Sequence, residues 1–118
     1  MLEELKLNYQ LSKEHLTIIY DVILFTELSN EDYTTDDLCE MITVLHKYNF
    51  TNSNSLEEVI QQHLYLASEL CEYEILKCYV VEYAGEYKYC FKINDDIISS
   101  EIKKELDEEL CKTKVALN

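Results

Sequence analysis

The chain has 118 residues, with 24 Asp and Glu against 10 basic residues, all of them lysine, for a net charge of −14. Such a surface repels nucleic acid and anionic membrane, and without arginine it lacks the planar fork that reads phosphate and guanine bidentately. A hydrophobic content of 47%, with ten tyrosines and three phenylalanines, excludes disorder and fits one domain over residues 1–118.

One glycine and no proline leave nothing from which to build a flexible linker. The opening MLEELKLNYQ has no basic start and no apolar run, so no export leader is expected. The longest apolar stretch, residues 16–28, is interrupted by Tyr20, Asp21 and Glu27 and falls short of the ~20 residues of a membrane span. Five cysteines without a CxxC pair read as reduced thiols, and the expected location is the cytoplasm.

In chain order, residues 5–11 alternate apolar and polar, the period of a half-buried strand, while Leu2 and Leu5 also permit a short helix. Ser12 is placed to cap a helix to about Leu28. Its stripe Leu16, Ile19, Tyr20, Ile23 is widened by Ile18, Val22 and Phe25, which marks it as central to the core. Residues 34–37, Thr-Thr-Asp-Asp, open a second helix with hydroxyl caps and carboxylates at the positive end of the dipole. It continues through Leu38, Met41, Ile42 and Leu45 and frays by Asn49. After a polar loop at 51–54, residues 55–58 read as a capping box. The third helix then runs to about Glu72, with Val59, Ile60, His63, Leu64, Leu66, Ala67, Leu70 and Cys71 facing in.

Residues 75–93, rich in Tyr, Val, Phe and Cys around Gly85, fit a β-hairpin. A three-residue loop of Tyr83, Ala84 and Gly85 needs positive φ only at the glycine and is preferred to a two-residue type I′ turn. That register sets Glu82 opposite Glu86, Val80 opposite Lys88 and Cys78 opposite Cys90. It gathers Tyr79, Val81, Tyr83, Tyr87, Tyr89, Phe91 and Ile93 on one face. Asp95 and Asp96 are read as the cap of a last helix from about Ile97 to Lys112, with Glu108 and Lys112 as an i,i+4 pair. Its narrow stripe of Ile98, Ile102, Leu106 and Leu110 makes those four residues candidate contacts of a homodimer. The expected architecture is α+β: an N-terminal strand or short helix, three helices, a hairpin and a C-terminal helix.

The order helix, helix, helix, hairpin resembles a winged-helix domain, with residues 55–72 in the place of the recognition helix and 75–93 as the wing. Here that helix offers Glu57, Glu58, Gln61, Gln62, Tyr65, Glu69 and Glu72 and no lysine. DNA affinity rests largely on neutralising phosphates, so the resemblance implies a protein-binding or dimerising module instead of a DNA reader.

His15, His46, His63 and the five cysteines lack the paired short spacings of a zinc site. Buried thiols and helix-surface histidines are expected, with no metal or cofactor. No cysteine is singled out beside an oriented base, and Asp36/Asp37, Asp95/Asp96 and Glu108/Glu109 read as solvated caps. The chain is expected not to be an enzyme.

The acidic surface remains as the candidate site. Its densest stretch is Glu31, Asp32, Asp36, Asp37 and Glu40 with Tyr33 among them, and Glu57, Glu58, Glu69, Glu72 and Glu74 form a second group. A net charge of about 2–8 keeps a small domain soluble, whereas −14 costs self-repulsion. In composition the chain is similar to inhibitors carried by phages and mobile elements, the DNA mimics and anti-CRISPR proteins. That resemblance implies carboxylates standing in for phosphates in the nucleic-acid groove of a host defence nuclease. The partner is then a basic protein, with no direct nucleic-acid or membrane ligand. An immunity protein or antitoxin against a nuclease toxin fits the same features, as does a winged-helix-like regulatory module able to homodimerise.

Overall fold

The computed structural model describes residues 1–48 and 55–117, with side chains to residue 111. In chain order the elements are α1 (Leu2–Tyr9), α2 (Lys13–Ser29), β1 (Tyr33–Thr34), α3 (Thr35–Lys47), α4 (Leu56–Glu72), β2 (Leu76–Tyr83), β3 (Glu86–Ile93) and α5 (Ser100–Leu117). The fold is α+β, with one antiparallel sheet in the order β1-β3-β2. No described helix is long and apolar enough to cross a membrane. The expected fray at Asn49 and the loop at 51–54 lie outside the described residues, as does the side chain of Lys112.

Helix α2 is the centre of the core. Ile18, Ile19 and Val22 are fully buried, and the helix packs on α4, α5 and β3. It starts at Ser12, whose Oγ accepts from the His15 N–H at 3.3 Å while the His15 ring accepts from the Ser12 N–H at 2.9 Å. This is a reciprocal capping box with histidine in the place of the usual Glu or Gln. Helix α3 opens the same way, with Thr34 and Asp37 satisfying each other's backbone N–H groups. At α4 only the forward half of the expected box forms, Glu58 N–H to Ser55 Oγ at 3.3 Å.

Residues 2–9 are helical, so the strand reading of 5–11 is overturned and the short-helix alternative holds. Leu2 and Leu5, one turn apart, bury together, while Leu7 stays 77% exposed. A helix satisfies its own backbone and needs no neighbouring strand. Two cross-links then fix α1 to α5: the Leu2 N–H donates to Glu105 at 2.7 Å and Lys6 Nζ to Glu109 at 3.0 Å.

The hairpin corrects a second expectation. Its turn has two residues, Ala84 at φ 50° and Gly85 at φ 84°, so Tyr83 pairs with Glu86, Val80 with Tyr89 and Cys78 with Phe91. Type I′ geometry matches the twist of the strands, and an eight-pair ladder offsets the roughly 1–2 kcal/mol of a left-handed alanine. Cys78 and Cys90 therefore point to opposite faces. Tyr79, Val81 and Tyr83 lie on the face opposite Tyr87, Tyr89, Phe91 and Ile93.

The last helix begins later than expected. Asn94, not Asp95 or Asp96, organises the turn after β3, its carbonyl accepting from Ile97 and Ile98. Ser99 Oγ then takes the Ile102 N–H at 3.2 Å. Ile98, Ile102, Leu106 and Leu110 are buried within the chain's own core. The stripe read as a homodimer contact is thus covered from inside, under α1 and against α2.

Candidate functional site

The end of α2, the β1 segment, the start of α3 and the tip of the hairpin enclose an open cleft of about 810 Å³. Glu31, Asp32, Asp36 and Asp37 all line it, beside Phe25, Tyr83 and Lys88. Four of the predicted carboxylates are therefore brought together by the fold. Helix α2 must stop for this to happen, and it stops at Asn30, left-handed at φ 55°, whose N–H returns to the Thr26 carbonyl.

The four carboxylates are held differently. Asp32 accepts from the Tyr79 hydroxyl at 2.5 Å and the Tyr83 hydroxyl at 2.9 Å. These bonds hold its carboxyl below the usual carboxylate range, so the group is ionised at neutral pH. The same bond to Asp32, with some burial, pushes Tyr83 up, whereas burial is the larger cause at Tyr79, followed by Asp32. Asp36 pairs with Lys88 at 3.0 Å and raises that ammonium's pKa. Asp37 spends its Oδ2 on the Thr34 N–H at 2.8 Å and the Thr34 hydroxyl at 3.0 Å. Glu31 is exposed, and its backbone N–H donates to Ser29 Oγ at 3.3 Å.

Tyr33 is not a contact residue, which corrects the sequence reading. It is fully buried, donates to Asp21 and sets its ring edge-on to Phe25 at 5.3 Å. Burial drives its hydroxyl pKa far upward, with Asp21 adding to it. Its task is to pin the turn that carries Glu31 and Asp32.

The second group does not converge on the cleft. Glu57 and Glu58 sit in the first turn of α4 and Glu72 in its last, roughly 20 Å away. Glu69 is engaged internally, accepting from His15 Nε2 at 3.1 Å and from the Tyr73 hydroxyl at 3.4 Å. Glu40 is exposed on α3, outside the cleft lining.

His15 is buried, against the expectation of surface histidines, and His63 is buried on the inward face that the third helix's pattern gave it. The Ser12 N–H makes His15 Nδ1 an acceptor, so Nε2 carries the proton given to Glu69. His63 Nδ1 donates to the Val59 carbonyl at 2.9 Å. Among the described residues no three His, Cys, Asp or Glu side chains are arranged to hold a metal ion. Burial raises the thiol pKa at Cys39, at Cys90 and, to about 11, at Cys71, where nearby Cys78 adds to it. Their thiolates are scarce at neutral pH.

Sequence reasoning missed Tyr83 and Lys88 as walls of the cleft and Tyr79 as a second hydroxyl donating to Asp32. The two-residue turn was the missing signal. It places all three on the same face, and the three-residue loop separates them. Comparison of the chain with protein-family models, with curated proteins and with solved structures finds no match.

Proposed function

We propose that this protein is a non-catalytic, acidic inhibitor acting in the cytoplasm. In this reading its cleft carboxylates occupy the basic nucleic-acid groove of a host defence nuclease or related effector, as an anti-CRISPR protein or DNA mimic does. The observation that carries the reading is the prearrangement of the carboxylates. Asp32 is ionised and clamped by two tyrosines, and Asp36, in the first turn of α3 and paired with Lys88, lines the same cleft. Charges fixed before binding lose little freedom on association, and they steer a basic partner into place. On the winged-helix reading of the element order α4 takes the place of the recognition helix, yet it exposes Glu57, Glu58 and Glu72 where a DNA reader needs cations.

The holding bonds decide which substitutions test this. Glu31→Gln, Asp36→Asn and Glu40→Gln leave the fold's own bonds nearly intact. Asp32→Asn or Asp37→Asn would loosen the hairpin or the α3 cap. The triple variant is expected to lose at least tenfold in affinity for a nuclease captured from host lysate, with inhibition of that nuclease lost in parallel. Salt at about 0.5 M should release the complex. Full inhibition by the triple variant, and by Glu57→Gln with Glu58→Gln and Glu72→Gln, would rule the mimicry out. An immunity protein or antitoxin would use the same cleft, and capture of a toxin nuclease instead of a defence nuclease identifies that case.

A further inference from the structure

Helix α4 and strand β2 are joined by a short reversal that hydrogen bonds hold on both sides. Past Glu72 the chain turns at Glu74, left-handed at φ 62°. The Glu74 N–H returns to the Cys71 carbonyl at 3.0 Å, and the Ile75 N–H to the Leu70 carbonyl at 3.0 Å. From the far end of the hairpin, Asn94 donates to the Glu74 and Ile75 carbonyls. The reversal sends β2 back against the end of α4. Leu76 and Cys78 lie on one face of the strand, and Leu76 is buried. Cys78 meets Cys71 in the last turn of α4, and the two thiols are in hydrogen-bonding contact.

The pair is unequal and set apart from the other thiols. Cys78 is exposed and Cys71 only partly so, which lets a solute reach Cys78 first. Cys90 lies on the opposite face of the sheet and directs its Sγ to the Lys88 carbonyl at 3.9 Å. Cys111 Sγ donates to Asp107 at 3.5 Å on α5, and Cys39 sits on α3. A disulfide needs side chains that already face each other, because it tolerates little distortion. Among the described cysteines, Cys71 and Cys78 meet that condition.

We propose that Cys71 and Cys78 form a reversible intramolecular disulfide on exposure to hydrogen peroxide, with Cys78 attacking first and Cys71 resolving. The Cys78 thiolate attacks one peroxide oxygen, the O–O bond breaks, and hydroxide leaves, so that Cys78 becomes a sulfenic acid. The Cys71 sulfur then attacks the Cys78 sulfur. The S–S bond forms, the S–O bond breaks, and the oxygen departs as water with the Cys71 proton. The two thiols lose two electrons, the peroxide gains them, and two waters result. Burial lifts the Cys71 pKa to about 11, which keeps that thiol protonated until a sulfenic acid stands beside it. A dithiol reductant reverses the bond by exchange, as befits a transient disulfide in a reducing compartment. This chemistry is independent of what the acidic cleft binds.

The test treats the full chain with a slight excess of hydrogen peroxide, alkylates the remaining thiols and digests with trypsin. Cleavage after Lys77 parts Cys71 from Cys78, and cleavage after Lys88 parts Cys78 from Cys90. The expected product joins peptides 48–77 and 78–88, with Cys39, Cys90 and Cys111 alkylated, and dithiothreitol separates it. In Cys71→Ser the Cys78 sulfenic acid has no resolving thiol, and dimedone should label it roughly tenfold more than in the unaltered chain. The oxidised chain should melt roughly 5 °C or more above the reduced one, a rise that Cys71→Ser lacks. Five alkylated cysteines after peroxide would overturn the proposal, as would a link from Cys78 to Cys90 or to a second molecule. Equal dimedone labelling of Cys71→Ser and the unaltered chain, or a lower melting point in the linked form, would overturn it as well.

Discussion

Asn94 joins three parts of the chain at one buried side chain. Its N–H donates to the Ile75 carbonyl, its Nδ2 donates to the Glu74 carbonyl at 2.7 Å, and its Oδ1 accepts from Asp96 at 3.1 Å. Asn94→Ala leaves the Glu74 carbonyl unpaired and should cost about 1–3 kcal/mol, read as a lower urea midpoint at constant slope. Ala84, left-handed at φ 50°, points the other way. Asn is the residue type I′ turns favour at that position, so Ala84→Asn should stabilise by about 1 kcal/mol in the same measurement. Asp32 supplies a pH dependence. Its folded pKa is depressed by the Tyr79 and Tyr83 hydroxyls, so its contribution is fully present above the ordinary carboxylate value of about 4. It is lost as pH falls through the lower folded value. Replacing both Tyr79 and Tyr83 by Phe should flatten that acid limb, seen in urea melts between about pH 5 and 2.

At the scale of elements, the parts legible in the sequence were those decided locally. Ser12, Thr34 and Ser55 cap helices through bonds spanning three residues, and the starts of α2, α3 and α4 follow from them. Ser12→Ala should cost about 1 kcal/mol, measurable as a shift in thermal midpoint. Elements decided by distant contacts were not legible. The alternation at 5–11 fits a strand as well as a helix until α5 supplies the surface for Leu2 and Leu5. The hairpin turn looked too costly at Ala84, since the gain lies in eight cross-strand pairs and in Tyr33 pairing with Phe91. The α5 stripe looked too narrow for a core position because its other faces are highly charged, and nothing local in the sequence shows that α1, legible as a strand or a short helix, covers it. Tyr33, flanked by acids in sequence, looked like a contact residue, and only Phe25 and Asp21 show it to be interior.

At the scale of the molecule, the charge of −14 is not one continuous field. Glu31, Asp32, Asp36 and Asp37 converge on the cleft, while the α4 carboxylates are split between its two ends. Composition showed the excess, and only the fold showed that these four of the proposed residues could act together. Self-repulsion should make stability rise with ionic strength. Between about 10 and 150 mM salt, where the screening length drops to about 8 Å, the thermal midpoint should climb by roughly 2–5 °C.

The clasp between α1 and α5 bears on how the protein is made. The Leu2–Glu105 and Lys6–Glu109 bonds each join residues 103 positions apart, and α2 shares its core with α5 as well. A chain synthesised from its amino end holds α1 and the apolar sides of α2 for most of translation before their partner exists. Folding is therefore expected to complete only after release of the last helix. A ribosome-bound chain stopped before residue 100 should remain protease-sensitive throughout α1.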